Sequence, residues 1–425
     1  MARFLITVWP LAGHLYPNLA LATALRARGH EVAFYTSARA GATVAREGFT
    51  CLPFQAVDGD GFEAMMASGY STLPAWARWR KQKALYRAWL VDTLPAQLAD
   101  IEAALDQWRP HAIVCDPTLW APILVLHEKR GIPVAVFSYT VGCLLPGPET
   151  PPAGPGLPSP RTWRARAICR IYDTLARLAT QDIRRAANAV RRRHGLAELR
   201  VTVTEHAGTM PLYLVTSSPE LDYGRRHIPQ NVHYVGPCLW LRADPDLPDW
   251  MREVPTDQPW VHVSEGTQHN QAPFLLKAAA AGLASQPMQV IMATGSHRRP
   301  EEIGLNHLAS NIHVKGWVPY AHLIPRTAVV VTTGGAGTVL SALQAGVPLV
   351  VAPTEWDKPE NAQRVAESGA GLRIAPTRCT PARLRATVER VLNEPAFRAN
   401  ARRIAQGFAR YGGPQQAAAL IEGLV

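Results

Sequence analysis

The sequence predicts an α/β protein built from two halves, each with a parallel sheet, and three observations support this fold class. Short apolar runs such as Val329–Val331 lack the polar alternation of a half-exposed strand, which suits parallel strands covered on both faces. Turn residues and helical patterns follow these runs, as they do in βαβ units. The length of 425 residues allows two or more domains with a large core.

Strand and helix patterns alternate through the first half. We predict strands at residues 3–8, 32–36, 112–115, 133–137, 213–215 and 232–235. We predict helices at about 17–28, 119–129 and 162–194, one or two helices within 81–108, and another helix and a short strand within 37–57. The stretch 162–194 carries an apolar stripe made of Ile168, Ile171, Tyr172, Leu175, Leu178 and Ile183. Residues 144–160 are rich in Pro and Gly, so we predict a loop there.

A second, similar half follows a linker. Residues 236–259 contain five prolines, which indicates a connection between two domains. Strands are then predicted at 260–263, 288–293 and 311–314, and a strand–loop–helix–strand unit covers 329–353. Helices are predicted at about 272–285, 380–411 and 414–424, so the chain is expected to end on a short helix.

Composition narrows the class of protein. The six cysteines are scattered without a CxxC pair or a Cys–His cluster at metal spacing, so we expect a reduced, cytoplasmic protein. No apolar run reaches the roughly 20 residues of a membrane span. The N-terminus begins as a strand and lacks the layout of a signal peptide.

The net charge is +11, and arginines are dense between Arg161 and Arg200. We interpret this segment as a solvated basic helix face, with attraction to an anionic membrane surface or an anionic ligand as the alternative. Nucleic-acid binding is not expected, because the segment has no recognised motif and no interleaved aromatic residues.

The most informative stretch is residues 316–371. A glycine loop, Gly334-Gly335-Ala336-Gly337-Thr338, joins a Val-rich strand to a helix. Glycines let the backbone approach a pyrophosphate, and helix N-termini bind phosphate, although such a loop alone is a weak signal. The stretch also contains Trp317-Val318-Pro319, Ala-Leu-x-x-Gly-Val-Pro from Ala342, Pro-x-x-x-Asp ending at Asp357, and Asn-Ala-x-Arg-Val from Asn361. It resembles the donor-binding signature of nucleotide-sugar-dependent glycosyltransferases of the UDP-glycosyltransferase superfamily, in the bacterial natural-product, macrolide-type branch.

The resemblance implies a GT-B fold, in which two Rossmann-like domains face each other across a cleft. We expect an acceptor-binding domain at 1–236, a linker at 237–259, a nucleotide-sugar-binding domain at 260–410, and a C-terminal helix, 411–425, that crosses back to the first domain. The implied activity is inverting transfer of a sugar from a TDP or UDP sugar to a hydroxyl of a hydrophobic small molecule. The nucleotide sugar is a co-substrate, and no cofactor or metal is expected. The alternatives are a membrane-lipid glycosyltransferase and a catalytically degenerate nucleotide-binding member.

His14 is the candidate general base. A lone His in a turn is more often structural, but Gly13-His14-x-x-Pro17 matches the catalytic-base motif of the resembling family. A helix N-terminus disfavours the cationic imidazole, which leaves the ring free to accept a proton. Asp116 follows a strand of the same half and would orient His14 and stabilise its protonated form. The alternative role of Asp116 is an N-cap for the next helix.

The resemblance also assigns a donor site and an acceptor site. Gly335, Gly337 and Thr338 are expected to hold the diphosphate, opposite a second loop at Gly266 and Thr267. Trp317 is expected to stack on the base, the alternative being a buried core Trp. Asp357 is expected to accept hydrogen bonds from the sugar, the alternative being an Asp solvated in a loop. The full donor-binding prediction is Gly266, Thr267, Trp317, Val318, Thr333, Gly335, Ala336, Gly337, Thr338, Ser341, Asp357 and Lys358. The acceptor-binding prediction is Trp9, Leu11, Met65, Trp76 and Thr140, and residues 58–80 are either an acceptor loop or an ordinary packed excursion.

Four donor positions depart from the family pattern. Thr333 stands where His is usual, Ser341 replaces Glu, and Tyr320 and Lys358 each replace Gln. In the resembling family, the Glu at this position binds the ribose diol through its carboxylate. Its absence at Ser341 suits a thymidine diphosphate sugar, because deoxyribose has no 2′-hydroxyl. We further expect Lys358 to meet a carboxylate or another unusual group on the sugar.

Overall fold

The structure is a computed structural model that describes residues 1–67, 75–240, 246–267, 272–295, 298–305 and 308–425. It gives no side-chain placement for 67 and 75–79. Two parallel sheets organise the described residues, seven strands in the first half and six in the second. This confirms the predicted α/β class with two Rossmann-like halves.

The strands of the first sheet are β1 (Arg3–Thr7), β2 (Glu31–Thr36), β3 (Thr50–Pro53), β4 (Ala112–Cys115), β5 (Val134–Ser138), β6 (Leu212–Val215) and β7 (Val232–Tyr234). Those of the second sheet are β8 (Trp260–Ser264), β9 (Gln289–Ala293), β10 (Ile312–Lys315), β11 (Thr327–Thr332), β12 (Leu349–Val351) and β13 (Gly371–Arg373). Their orders are β3-β2-β1-β4-β5-β6-β7 and β10-β9-β8-β11-β12-β13. In each sheet the order reverses beside the first strand, and ligands bind at the carboxyl ends of strands at such a point.

Helices flank both sheets. The described helices of the first half are α1 (Ala12–Ala27), α2 (Ala38–Arg46), α3 (Gly59–Ala67), α4 (Ala75–Arg87), α5 (Leu94–Trp108), α6 (His127–Arg130), α7 (Trp163–Ala179), α8 (Gln181–Arg193) and α9 (Val203–Ala207). Those of the second half are α10 (Asp249–Glu253), α11 (Phe274–Gly282), α12 (Tyr320–Leu323), α13 (Ala336–Gln344), α14 (Lys358–Glu367), α15 (Pro381–Asn393), α16 (Pro395–Phe408) and α17 (Pro414–Glu422). Short π-helical turns lie at Ala88–Asp92 and Pro122–Leu126, and 3₁₀ turns at Glu301–Ile303, Ile324–Arg326 and Pro376–Arg378.

Helix α1 begins earlier than the sequence suggests. Pro17 predicted a helix start, because proline is favoured in a first turn. The helix instead begins at Ala12, since the backbone N–H groups of His14 and Leu15 both donate to the carbonyl of Leu11. His14 therefore lies in the first turn of α1 and not in a preceding loop.

The helical stretch predicted at 162–194 is two helices, α7 and α8, which meet at Thr180. The α7 part of its apolar stripe does not enter the core, because Ile168, Ile171, Leu175 and Leu178 are 51–65% exposed, whereas Ile183 of α8 is buried. The buried residues of α7 are the small side chains Ala165 and Cys169.

The last helix, α17, packs against the first half. Its Ala417, Ala418 and Ile421 share a buried cluster with Leu19 and Leu25 of α1. The N–H of Gly413 donates to the carbonyl of Val235 just before α17 begins, and Glu422 near its end pairs with Arg28. These contacts tie the C-terminus to the first sheet, while the proposed domain boundaries stay a prediction.

A buried ionic cluster joins the two halves. Arg364 of α14 lies 3.2 Å from the carboxylate of Asp222 and 3.1 Å from that of Glu360. Its guanidinium also stacks over the ring of Tyr223, 4.3 Å from the centroid. Arg364 and the nearby Arg225 lower the pKa of Asp222 to about 2, against the opposing effect of burial. Removal of either partner of such a buried ion pair strongly destabilises the fold.

The Pro- and Gly-rich loop 144–160 crosses from the first half to α14. The backbone N–H and hydroxyl of Ser159 donate to the carboxylate of Glu367 at 2.7 and 2.6 Å. Glu360 accepts from the N–H of Gly154, and Arg373 donates to the carbonyl of Gly156 at 2.7 Å. Since α14 begins directly after Asp357, these contacts fix the position of the predicted donor loop against the first half.

Candidate active site

His14 and Asp116 meet at the carboxyl edge of the first sheet, where the strand order reverses. His14 lies just beyond β1 and Asp116 directly follows β4, its neighbour in the sheet. His14 Nδ1 is 2.7 Å from Asp116 Oδ2. The Asp116 side chain is fully buried, and 15% of the His14 side chain stays exposed. The two residues therefore form the predicted dyad geometry.

Asp116 is held as a carboxylate. Its Oδ1 accepts hydrogen bonds from the backbone N–H and the hydroxyl of Thr118, at 2.8 and 2.7 Å. Burial alone would raise the pKa of Asp116, but the adjacent His14 imidazole and these hydrogen bonds lower it below the ordinary aspartate value. A buried carboxylate on Nδ1 holds the ring orientation and stabilises an imidazolium.

Tyr139, which the sequence reasoning missed, completes this cluster. Its hydroxyl lies 2.7 Å from His14 Nδ1 and donates to Asp116 Oδ1 at 3.1 Å. Burial and the Asp116 carboxylate raise the pKa of Tyr139 well above its ordinary value, and Asp357 of the second half acts in the same direction. Tyr139 directly follows β5, and it reaches the site only because β5 lies next to β4 in the sheet, so no local sequence signal marks it.

An aromatic cluster brings the second half to this site. Trp356 packs edge-on against Trp89 and Tyr86, each with centroids 5.7 Å apart. Trp89 in turn lies 6.4 Å from the His14 ring. Trp356 has φ +64°, a left-handed backbone that bulky residues rarely adopt and that often marks a functional site. Trp356 therefore joins the segment just before Asp357 to aromatic side chains of the first half.

The glycine loop opens α13 as predicted. Gly335 is the N-cap, followed by Ala336 and Gly337 in the first turn. A Cβ built on Gly335 or Gly337 would have no neighbour within 4 Å, so both face open space. The same holds for Gly266, at φ +82° in the opposing loop, and Thr267 beside it is exposed. First-turn N–H groups lack helical acceptors, so this end of α13 can bind an anion.

Three predicted donor-site hydroxyls lie deeper than the glycines. Thr333, Thr338 and Ser341 are all buried. The hydroxyl of Thr333 donates to the carbonyl of Glu265 at 2.9 Å, and that of Thr338 lies 3.2 Å from the hydroxyl of Tyr320. Thr333 therefore links the two glycine loops, and its hydroxyl proton is used in that hydrogen bond.

Trp317 is 57% exposed. It is therefore not a core tryptophan, and its ring is accessible to a stacking partner. Val318, next to it, is buried beside Trp260 and Leu323 in a small cluster of its own. Tyr320 fills the space behind the glycine loop, with its hydroxyl 3.3 Å from His262 Nε2.

Asp357 and Lys358 lie at the start of α14. Asp357 accepts a hydrogen bond from the Asn361 amide at 2.8 Å. Lys358 is buried, and its ammonium group donates to the hydroxyl of Thr354 at 3.0 Å. Burial lowers the pKa of Lys358, although Asp357 and Glu355 oppose this effect.

Arg298, which the sequence reasoning also missed, places a cation 2.9 Å from the carboxylate of Glu265, the residue before Gly266.

The predicted acceptor residues fall at different depths. Trp9 is fully buried, stacks on Phe62 at 4.4 Å, and donates from its indole N–H to the carbonyl of Thr118. Thr140 is buried with its hydroxyl bonded to the carbonyl of Gly142 at 2.7 Å, while Leu11 and Met65 are partly exposed. The side chain of Trp76 lies outside the described residues, as do 68–74 of the predicted acceptor loop.

In the part of the chain that the structure describes, no three His, Cys, Asp or Glu side chains are grouped to hold a metal ion. Among those same residues, no helix is both long and apolar enough to cross a membrane.

Family models match both halves. Residues 11–141 match the Glycosyltransferase family 28 N-terminal domain. Residues 281–424 match the C-terminal domain described as Erythromycin biosynthesis protein CIII-like. The first match covers most of the half that contains His14, and the second covers most of the half that contains the glycine loop.

Full-length relatives agree with these models. The chain is 33% identical over 429 residues to 4'-demethylrebeccamycin synthase of Lentzea aerocolonigenes, with 100% of both proteins covered. The crystal structure of the glycotransferase of kitacinnamycin aligns with a TM-score of 0.75 at 25% identity, covering 100% of this chain and 99% of that one. Spinosyn rhamnosyltransferase complexed with thymidine diphosphate shares the fold, with a TM-score of 0.72, 21% identity and 100% coverage of both chains.

Proposed function

Since this chain belongs to the GT-B glycosyltransferases of bacterial natural-product biosynthesis, we propose that it is an inverting enzyme that uses His14 as its general base. The sugar comes from a nucleoside diphosphate sugar and goes to a hydroxyl of a hydrophobic small molecule. The observation that carries this proposal is the 2.7 Å contact between His14 Nδ1 and the buried carboxylate of Asp116.

The proposed reaction begins at His14. With Nδ1 directed to Asp116, Nε2 is the ring atom that accepts the proton of the acceptor hydroxyl. The acceptor oxygen forms a bond to the anomeric carbon as the bond from that carbon to the phosphate oxygen breaks, with inversion. The Asp116 carboxylate stabilises the resulting imidazolium, and general-base catalysis of this kind contributes about 10²–10⁴-fold to the rate.

The leaving diphosphate is proposed to bind at the N-terminus of α13. The open space in front of Gly335 and Gly337 admits the phosphates, and the first-turn N–H groups with the positive helix end offset their charge. Asp357 would accept hydrogen bonds from the sugar, and exposed Trp317 would stack on the base.

The acceptor is proposed to bind beside His14 against aromatic side chains. Trp89, Tyr86 and Trp356 form one contact cluster that includes residues from both halves. An apolar cleft with a few fixed polar groups suits a hydrophobic small molecule. Closure of the halves around it, held by the Arg364 cluster, would also exclude water.

We propose thymidine diphosphate as the nucleotide. Ser341 replaces a carboxylate that would favour a ribose diol, and it is buried in α13. The complex of the spinosyn rhamnosyltransferase with thymidine diphosphate is in keeping with this choice.

Product analysis tests the proposal. The protein is incubated with α-linked TDP and UDP sugars and a panel of hydrophobic aglycones that carry hydroxyl groups, and products are detected by mass spectrometry. We expect a glycoside whose anomeric proton coupling in NMR reports the β linkage. An α-linked product would contradict inversion, and donor binding without any transfer would support the degenerate alternative.

A further inference from the structure

Helix α7 exposes an unusual amount of apolar surface. Of the twelve large apolar side chains that are exposed among the described residues, six belong to this one helix. Trp163 is 69% exposed, Ile171 is 62% exposed and Leu178 is 65% exposed. Scattered exposed apolar residues need no explanation, but a contiguous patch marks an interaction site.

The exposed residues form one stripe. Ile168, Ile171, Leu175 and Leu178 are spaced by three and four positions, which places them on a single helix face. The opposite side packs on the protein through Ala165 and Cys169, whose sulfur lies 3.8 Å from the carbonyl of Pro158. The stripe therefore faces solvent, while the helix packs on the rest of the protein through another face.

Positive charge is concentrated in the segment that contains the stripe. Residues 161–200 contain eleven arginines and three carboxylates, a net charge of +8 out of +11 for the whole chain. Arg177 is paired with Asp173 and Glu205. In the described part of the chain, by contrast, no carboxylate lies within 4 Å of the exposed Arg164, Arg166 or Arg170.

We propose that this α7 surface, formed by Trp163, Ile168, Ile171, Leu175 and Leu178 with Arg164, Arg166 and Arg170, binds an anionic membrane surface. An exposed apolar stripe bordered by arginines is the pattern of helices that lie in the lipid headgroup region. Clustered arginines are attracted to acidic lipids, and the apolar stripe enters the acyl boundary. A second copy of this chain is a poor occupant, because it would bring two arginine-rich surfaces face to face.

Vesicle co-sedimentation tests the proposal with the full chain. We expect the protein to pellet with vesicles of equal parts phosphatidylglycerol and phosphatidylcholine and to stay in solution with pure phosphatidylcholine. The double variant I171S/L175S should bind the acidic vesicles at least tenfold more weakly, and Arg170→Glu should do the same. Because these side chains are exposed, thermal unfolding should be unchanged. Arg385→Glu, an exposed arginine on α15 of the other half, is the matched control and should bind like the wild type.

Three outcomes of the vesicle assay would overturn the proposal. They are no pelleting with the acidic vesicles, equal pelleting with neutral vesicles, and pelleting that the α7 substitutions leave unchanged. Light scattering of the free protein adds an independent check. A dimer that I171S/L175S dissociates would mean that a second copy covers the stripe, and the membrane assignment would be wrong.

Discussion

Gly337→Ala should stabilise the fold and weaken donor binding, so the two effects can be measured separately. Gly337 is the second residue of α13, its φ is not positive, and an added Cβ would meet nothing within 4 Å. Replacing a helical glycine by alanine therefore stabilises the fold by about 0.5–1 kcal/mol. For a domain of this size the gain corresponds to a melting temperature about 1–4 °C higher.

The same methyl group should obstruct the donor. Cα–Cβ bonds tilt toward the helix N-terminus, so the methyl enters the open space where we place the diphosphate. Loss of one hydrogen bond to a charged phosphate oxygen costs about 1.5–3 kcal/mol, which is roughly a ten- to hundredfold weaker affinity. Titration calorimetry with thymidine diphosphate measures this change, and differential scanning calorimetry measures the stability.

Gly13→Ala is the matched control. Gly13 is likewise the second residue of its helix, α1, and an added Cβ there also meets nothing within 4 Å. This variant should gain similar stability and keep its affinity for thymidine diphosphate. If Gly337→Ala bound thymidine diphosphate as tightly as the wild type, the diphosphate would not approach the N-terminus of α13, and our placement would be refuted.

Three further substitutions test the donor site and the junction between the halves. Ser341→Glu should raise the affinity for UDP relative to TDP about tenfold, because a new carboxylate can bond the ribose diol. Calorimetry measures both affinities, and Gln344→Glu, one turn along α13, is the control. An unchanged ratio of UDP to TDP affinity in Ser341→Glu would mean that position 341 does not contact the ribose. Lys358→Gln should alter the relative kcat/KM among donor sugars without changing TDP affinity, and an unchanged donor profile would exclude contact with the sugar. Asp222 has a folded pKa of about 2, below its ordinary value of 3.8, so its contribution of about 2 kcal/mol is present above pH 4 and is lost as pH falls toward 2. In urea unfolding, Asp222→Asn should be less stable at neutral pH and decline less between pH 4 and 2, and an equal decline would contradict this assignment.

The sequence predicted the parts of the fold that local patterns encode. Short apolar runs identified strands such as β1, β4 and β11, because parallel strands are apolar on both faces. The pairing of His14 with Asp116 was also predictable, since both follow strands that lie together where the sheet order reverses.

Features that depend on tertiary contacts were not predictable. Periodicity identified the stripe on α7 but not its exposure, since a pattern does not show what covers a helix face. Tyr139 lies outside any recognised motif and gains its place only because β5 adjoins β4. The contact of Arg364 with Asp222 joins residues 142 positions apart, and nothing local signals it.

The left-handed conformation of Trp356 shows the same limit. No glycine or asparagine occupies the position, so the residue type does not predict a positive φ there. The conformation is stabilised by packing against Trp89 and Tyr86, which belong to the other half of the chain.

Turnover of His14→Ala tests the central claim most directly. We expect kcat for transfer to fall by about 10²–10⁴-fold, because the acceptor hydroxyl loses its base. The dissociation constant for thymidine diphosphate should stay at the wild-type value, since the donor binds at α13. A variant that binds the nucleotide normally and still transfers sugar at the wild-type rate would contradict the assignment of His14 as the base.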